Sequence, residues 1–157
     1  MFNSGNHINF QTSLTHTTSL MWYIQHDLTN DALELLEHPE IDISLTDYYG
    51  CNALLMAIEK DNREIIEKLL SDFSHDFNHT TIFGDTALSL ALCKRNNELA
   101  KFLLSQPNIF LGKEHRQCSS PDELCSSGNT KDHRPSILHL AVRINSIEII
   151  RFMVENL

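Results

Sequence analysis

The 157-residue sequence predicts an all-α solenoid of about four helix–turn–helix repeats, with short loop tips and one surface loop insertion. The main observation is a period of 34 residues that holds for glycine, alanine and leucine positions together: Gly50 and Gly84, Ala57 and Ala91, Leu69 and Leu103. A second observation is a helix-capping residue before each apolar stretch. A fixed period of this length is typical of arrays in which neighbouring repeats bury one another's apolar faces.

Capping residues mark the start of each predicted helix. Ser, Thr and Asn accept a hydrogen bond from a backbone N–H of the first helical turn. The residues expected to cap the first and second helices are Thr18, Asn52, Thr86, Ser136, Asn62, Asn96 and Ser146. Apolar residues at amphipathic spacing follow, for example from Ile65 to Leu70.

The repeats are unequal. Leu138 matches Leu88 only at an offset of 50 residues, so the last copy is displaced by an insertion, residues 113–130. This segment is rich in Ser, Pro, Gly and charged residues, which favours a surface loop. The first copy is weaker, with Tyr23 where the other copies have Ala. We expect one domain, 1–157, with repeats at about 14–46, 47–80, 81–112 and 131–157.

The repeat sequence resembles the ankyrin repeat family. The family motif Asp-x-x-Gly-x-Thr-Pro-Leu-His-x-Ala is matched by the segment from Asp47 to Ala57, which reads DYYGCNALLMA. The likeness covers about residues 14–157 without the insertion. The chain departs from the motif at the proline in every copy, and the motif histidine is present only as His139. A tetratricopeptide-like stack is the alternative, but it would lack the glycine turn and the short extended segments carrying Ile43, Phe77 and Leu111.

The resemblance implies a protein-binding module that uses its loop tips and its concave helix face. The tip positions are Tyr48, Tyr49, Cys51, Ile82, Phe83, Asp85, Asp132, His133 and Pro135. The helix positions are Gln25, His26, Glu59, Lys60, Cys93, Lys94, Arg143 and Ile144. Aromatic and apolar tips favour interface anchors. The alternative is that one residue of each apolar pair packs against a neighbouring tip or the insertion.

Composition narrows the class of partner. A net charge of −9 with scattered basic residues argues against nucleic acid. No apolar run reaches the length of a membrane span. Four cysteines are few for a disulfide scaffold, which favours free thiols in a reducing compartment. We expect a monomer that binds a protein in the cytoplasm, or in a host cell's cytosol if the chain is an effector. The divergent, glycine-poor repeats look like those of eukaryotic arrays or of bacterial effectors secreted into host cells.

Nothing in the sequence predicts an enzyme or a cofactor, because nucleophile-elbow, phosphate-loop and zinc-hydrolase motifs are absent. His115, Cys118, Cys125 and His133 are weak candidates for zinc ligands, but their spacing fits no known structural site, so we expect no metal. A Cys118–Cys125 disulfide, formed only under oxidising conditions, is one alternative for this loop. A disordered loop that carries a modification or docking motif is another.

Two functional classes remain open. One is an adaptor, inhibitor or host-targeting scaffold. The other is the substrate-targeting domain of a larger enzyme, or a different helical-hairpin repeat with a metal-stabilised loop. The last helix ends with Phe152, Met153 and Val154, which leads us to expect that a further segment or a partner covers it. Trp22, Met56, Leu90 and Leu140 recur at one repeat position and are predicted to be core.

Overall fold

The protein is described here by a computed structural model that covers residues 8–107, 109, 111 and 136–156. These residues form eight helices: α1 (Ser19–Gln25), α2 (Thr29–Leu36), α3 (Ala53–Glu59), α4 (Arg63–Asp72), α5 (Ala87–Cys93), α6 (Asn97–Leu104), α7 (Ile137–Arg143) and α8 (Ile147–Asn156). None of the helices in these ranges is long and apolar enough to cross a membrane.

The helices are arranged as pairs in two compact units, Met1–Asp76 and Phe77–Leu157. In the first unit α1 packs on α2 and α3, and α4 packs on α2 and α3. In the second unit α5 packs on α6 and α7, and α8 packs on α6 and α7. Each helix pair lies inside one predicted repeat, which confirms the helix–turn–helix prediction. That the whole chain forms one domain stays a prediction.

Six of the seven predicted caps are confirmed, and capping of α8 by Ser146 stays a prediction. Side chains of Thr18, Asn52, Thr86 and Ser136 each accept a hydrogen bond from the backbone N–H three residues later. Asn62 and Asn96 do the same for the second helices α4 and α6. Helix α2 differs, since Leu28 stands at its N-cap without a side-chain hydrogen bond.

Small residues allow the helices of each pair to approach closely. Ala57, Ala91 and Ala141 are completely buried, as their recurrence predicted. The core prediction for the neighbouring position holds for Met56 and Leu140, which are buried. Leu90 is half-buried, and the prediction is wrong for Trp22, which is 47% exposed. An indole is larger than a Met or Leu side chain, and its ring lies over His26 on the helix surface instead of between helices.

Candidate functional site

The tip between Thr46 and Asn52 is a tight turn held by one carboxylate. The Asp47 side chain accepts hydrogen bonds from the backbone N–H groups of Tyr49 (2.9 Å) and Cys51 (2.8 Å). Gly50 adopts φ 74°, a left-handed conformation that glycine allows without steric cost. The turn leaves Tyr48 and Tyr49 exposed, with their rings edge to face and centroids 5.6 Å apart.

The next tip, in the second unit, reaches the same geometry with a different side chain. Thr81 occupies the position of Asp47, and its hydroxyl accepts from the N–H groups of Phe83 and Asp85, both at 3.2 Å. Gly84 has φ 80°. Ile82 and Phe83 are exposed, in the positions that Tyr48 and Tyr49 hold one repeat earlier.

An apolar residue on a third tip was missed from the sequence. Leu14 lies 34 residues before Tyr48 and is highly exposed. His16, with φ 55°, takes the left-handed position that Gly50 holds in the following tip. The 34-residue offset was the signal that would have identified Leu14, but the absence of a glycine hid the turn.

The first two tips adjoin within the first unit. The backbone N–H of Tyr48 donates to the carbonyl of Thr15 (2.9 Å), and the Gln11 amide donates to the carbonyls of His16 and Thr46, both at 2.8 Å. A shallow depression lies beside this junction, lined by Gln11, His16, Ser44, Leu45, Thr46, Asp47 and Tyr48. Leu14, Tyr48 and Tyr49 therefore stand on adjoining turns, and we call these three residues the tip cluster.

Three of the predicted partner-binding residues are poorly placed to contact a partner: Cys51, Asp85 and Cys93. Cys51 and Asp85 are buried, because the residue after the turn glycine points back under the tip. Cys51 keeps a free thiol, whereas Cys93 is half-buried and disulfide-bonded. The expectation of free thiols is therefore wrong for Cys93.

The predicted helix positions lie where the first helix of each pair ends. Each predicted pair consists of the last helical residue and the C-cap residue of one helix. The pairs are Gln25 and His26 for α1, Glu59 and Lys60 for α3, Cys93 and Lys94 for α5, and Arg143 and Ile144 for α7. Most are exposed, and Ile144 is half-buried. Trp22 extends this set, since its ring stacks on His26 with centroids 4.1 Å apart and planes inclined by 27°.

Groups with shifted pKa values lie away from the tips in the described part of the chain. The Lys101 ammonium donates a hydrogen bond to Glu148 and lowers the pKa of that carboxyl, with Asn97 assisting. Burial lowers the pKa of His75, whose ring Nε2–H donates to the carbonyl of Leu69 at 2.9 Å. These are contacts between or at the ends of helices, and they do not form an acid–base pair at the tips.

Several candidate residues lie outside the described residues. These are the tip residues Asp132, His133 and Pro135 and the weak metal candidates His115, Cys118, Cys125 and His133. The proposed Cys118–Cys125 disulfide lies there too. Within the described ranges no group of three or more His, Cys, Asp or Glu side chains is placed to hold a metal ion.

Comparison with known proteins supports the resemblance found in the motifs. The family model for ankyrin repeats (3 copies) matches residues 20–115 and 60–157. Among solved structures, the chain is similar to the crystal structure of the ankyrin repeat protein EF0377, with a TM-score of 0.64 and 22% identity. The match covers 94% of this chain and 68% of the other. No curated protein matches the chain.

Proposed function

The chain belongs to the ankyrin repeat family, and from this premise we propose that it is a protein-interaction module anchored through its apolar loop tips. The observation that carries the proposal is the exposure of large apolar side chains on successive tight turns. Leu14, Tyr48 and Ile82 occupy one repeat position, and all three project into solvent.

The turns are built to present these side chains. Asp47 and Thr81 each hold two backbone N–H groups of their turn, which fixes the direction of the tip residues before any partner arrives. A preorganised anchor loses less conformational entropy on binding than a mobile loop does. Aromatic residues such as Tyr49 and Phe83 supply large contact areas with few rotatable bonds, as interface hot spots commonly do.

The ends of the first helices in the first unit carry a second set of exposed side chains. Trp22 and His26 offer a stacked aromatic surface on α1, and exposed charges follow at Glu59 and Lys60. We propose that these helix ends form the rim of the interface, which contributes specificity more than affinity. The partner's identity and the finer roles of adaptor, inhibitor, host-targeting scaffold or targeting domain of an enzyme stay predictions, as does a cytoplasmic or host-cytosolic location.

The test is affinity capture from eukaryotic lysate with the wild-type chain and the double variant Tyr49→Ala/Phe83→Ala. We expect the partners captured by the wild type to be lost with the double variant, while far-ultraviolet circular dichroism shows unchanged helical content. The matched control is Tyr49→Phe/Phe83→Leu, which keeps most of the apolar area and should retain capture. Equal capture by wild type and alanine variant would refute anchoring by the tips.

A further inference from the structure

Charge is divided unevenly between the two units. Residues 1–76 contain thirteen Asp and Glu but only three Lys and Arg, which gives this unit a formal charge of −10. Residues 77–157 contain eight acidic and nine basic residues, a formal charge of +1. The net charge of the whole chain therefore arises in the first unit. A need for solubility alone does not explain why the negative charge is confined to one half of the chain.

The basic residues of the first unit lie on its later helices and not on its tips. No Lys or Arg occurs before Lys60, which is the C-cap of α3. Arg63 begins α4, and Lys68, in the middle of α4, forms ion pairs with two carboxylates. The preceding segment, residues 1–59, holds eight acidic residues and includes both tips of this unit. The apolar tip cluster is therefore carried by a stretch of chain without lysine or arginine.

Two carboxylates lie at the shallow depression beside the tip cluster. Asp47 lines the depression next to Tyr48. Asp42 accepts hydrogen bonds from the backbone N–H (2.9 Å) and the hydroxyl (2.6 Å) of Ser44, which also lines the depression. In both carboxylates these contacts fall on Oδ1, and Oδ2 accepts no hydrogen bond from the described residues. Neither carboxylate forms an ion pair within the part of the chain that the structure describes, so each is available to a cation from a partner.

The tyrosines of the tip cluster add ring faces that a cation can cover. Tyr48 and Tyr49 are exposed, and their ring planes are inclined by 87°, so the two faces point in different directions. A cationic side chain above the face of a tyrosine is attracted by the ring quadrupole. Arginine suits this combination best, because its planar guanidinium stacks on aromatic rings and donates hydrogen bonds to carboxylates. Leu14, on the adjoining turn, supplies an apolar contact.

We propose that the first unit recognises a basic segment of a protein partner, in which arginine side chains stand beside apolar ones. The inference rests on the proposed function and narrows its class of partner. The tip cluster contacts the apolar side chains, and the carboxylates of Asp42 and Asp47 bind the guanidinium groups. The negative charge of the first unit attracts such a segment over a longer range and speeds its association. The same charge repels nucleic acids and anionic membrane surfaces.

Selection of peptides from a random library tests the chemistry of the partner. The probe is a phage-displayed library of random peptides, selected on the immobilised full chain. We expect the selected peptides to be richer in arginine than the unselected library and to carry apolar residues beside it. Selection of neutral or acidic peptides, or of none, would contradict the proposal.

Charge-neutralising variants of the full chain locate the binding site of a selected peptide, whose Kd is measured by fluorescence polarisation. Asp42→Asn/Asp47→Asn removes two charges but keeps an oxygen at each position for the hydrogen bonds of the turns, and it should weaken binding at least about fivefold. The matched control Glu64→Gln/Glu67→Gln removes the same charge from exposed positions of α4 and should change the Kd less than about twofold. Equal weakening by both pairs would show a response to net charge alone and overturn the proposal. Circular dichroism checks helical content, and Asp42→Asn alone, which leaves the Asp47 turn intact, should still weaken binding at least about twofold.

Tyrosine variants separate this inference from the proposed function on which it rests. Tyr48→Ala/Tyr49→Ala should weaken binding of the selected peptide at least about tenfold, whereas Tyr48→Phe/Tyr49→Phe keeps the ring faces and should stay within about threefold of the wild type. Peptides without basic residues that lose binding to the alanine variant would overturn the basic partner and leave anchoring by the tips standing. Arginine-rich peptides that bind the alanine variant as tightly as the wild type would contradict both.

Discussion

Four residues in the turns between paired helices share a left-handed backbone. Their φ values are 53–58°, and the residues are Asp27, Asp61, Arg95 and Asn145. They recur at the repeat offsets of 34, 34 and 50 residues. For residues with a Cβ this conformation costs about 1–2 kcal/mol each. Asn and Asp tolerate it better than most residues, so the cost is greatest at Arg95.

Replacing Arg95 by glycine should therefore stabilise the protein. We expect Arg95→Gly to raise the free energy of unfolding by about 0.5–1 kcal/mol, because relief of the backbone strain exceeds the extra entropy that glycine gives the unfolded chain. Urea-induced unfolding followed by circular dichroism measures the change. Arg95→Ala is the control, since it removes the side chain without removing the Cβ. If it stabilises as much as Arg95→Gly, backbone strain is not the cause.

At the scale of the helix, the start signals were predictable because they depend on residues close in sequence. Thr86 and Ser89 show this most fully, since each side chain accepts from the other's backbone N–H in a capping box. Burial was less predictable, because it depends on what lies across the interface. Trp22 was assigned to the core from its repeat position, and Cys51 and Asp85 to the surface, and packing reversed all three.

Asn62 combines both kinds of interaction, since it caps α4 and also reaches back to α2. Its carbonyl oxygen accepts from the N–H of Ile65 at 3.3 Å, and its amide donates to Thr29. We expect Asn62→Ala to lower the free energy of unfolding by about 1–2 kcal/mol through loss of the cap and of the link between repeats.

Two further variants separate the contributions at Asn62. Thr29→Val removes only the link to α2 and should cost less than Asn62→Ala. In the double variant Asn62→Ala/Thr29→Val the donor of the hydrogen bond to Thr29 is already absent. We therefore expect the loss of this hydrogen bond to lower the free energy of unfolding no further than Asn62→Ala alone does. Thermal or urea unfolding of the three variants measures this. A full additional loss in the double variant would show that Thr29 acts through other contacts.

At the scale of the whole molecule, repeat number, helix pairing and the position of the tips followed from one period in the sequence. Inside each unit one helix pair packs on the next, so motifs close in sequence are sufficient to place the helices. The degree of burial could not be derived in this way. Leu88 and Leu138 are the same residue type at the same repeat position, yet Leu88 is 1% exposed and Leu138 is 45% exposed.

Global stability should depend on pH through His75. Burial lowers the pKa of this side chain in the folded state, so the unfolded chain binds its proton more readily. Stability associated with His75 is then fully present above the ordinary pKa of about 6.5 and is lost as the pH falls below it. Urea unfolding at pH 7.5 and pH 5 should show a larger loss in the wild type than in His75→Gln. That variant remains neutral and keeps a donor for the Leu69 carbonyl. An equal loss in both proteins would assign the pH dependence to other groups.

The first residue of each second helix also bears on how such an array can lengthen. Asn97 accepts the hydrogen bond of the repeat that follows it, so duplication of the gene segment encoding the third repeat would supply a ready-made neighbour. Duplication of the fourth would instead set Ser146 of the new copy against Ile147, leaving its hydroxyl without that acceptor. A copy of the third repeat is thus better suited to stack on its own parent than a copy of the fourth repeat is.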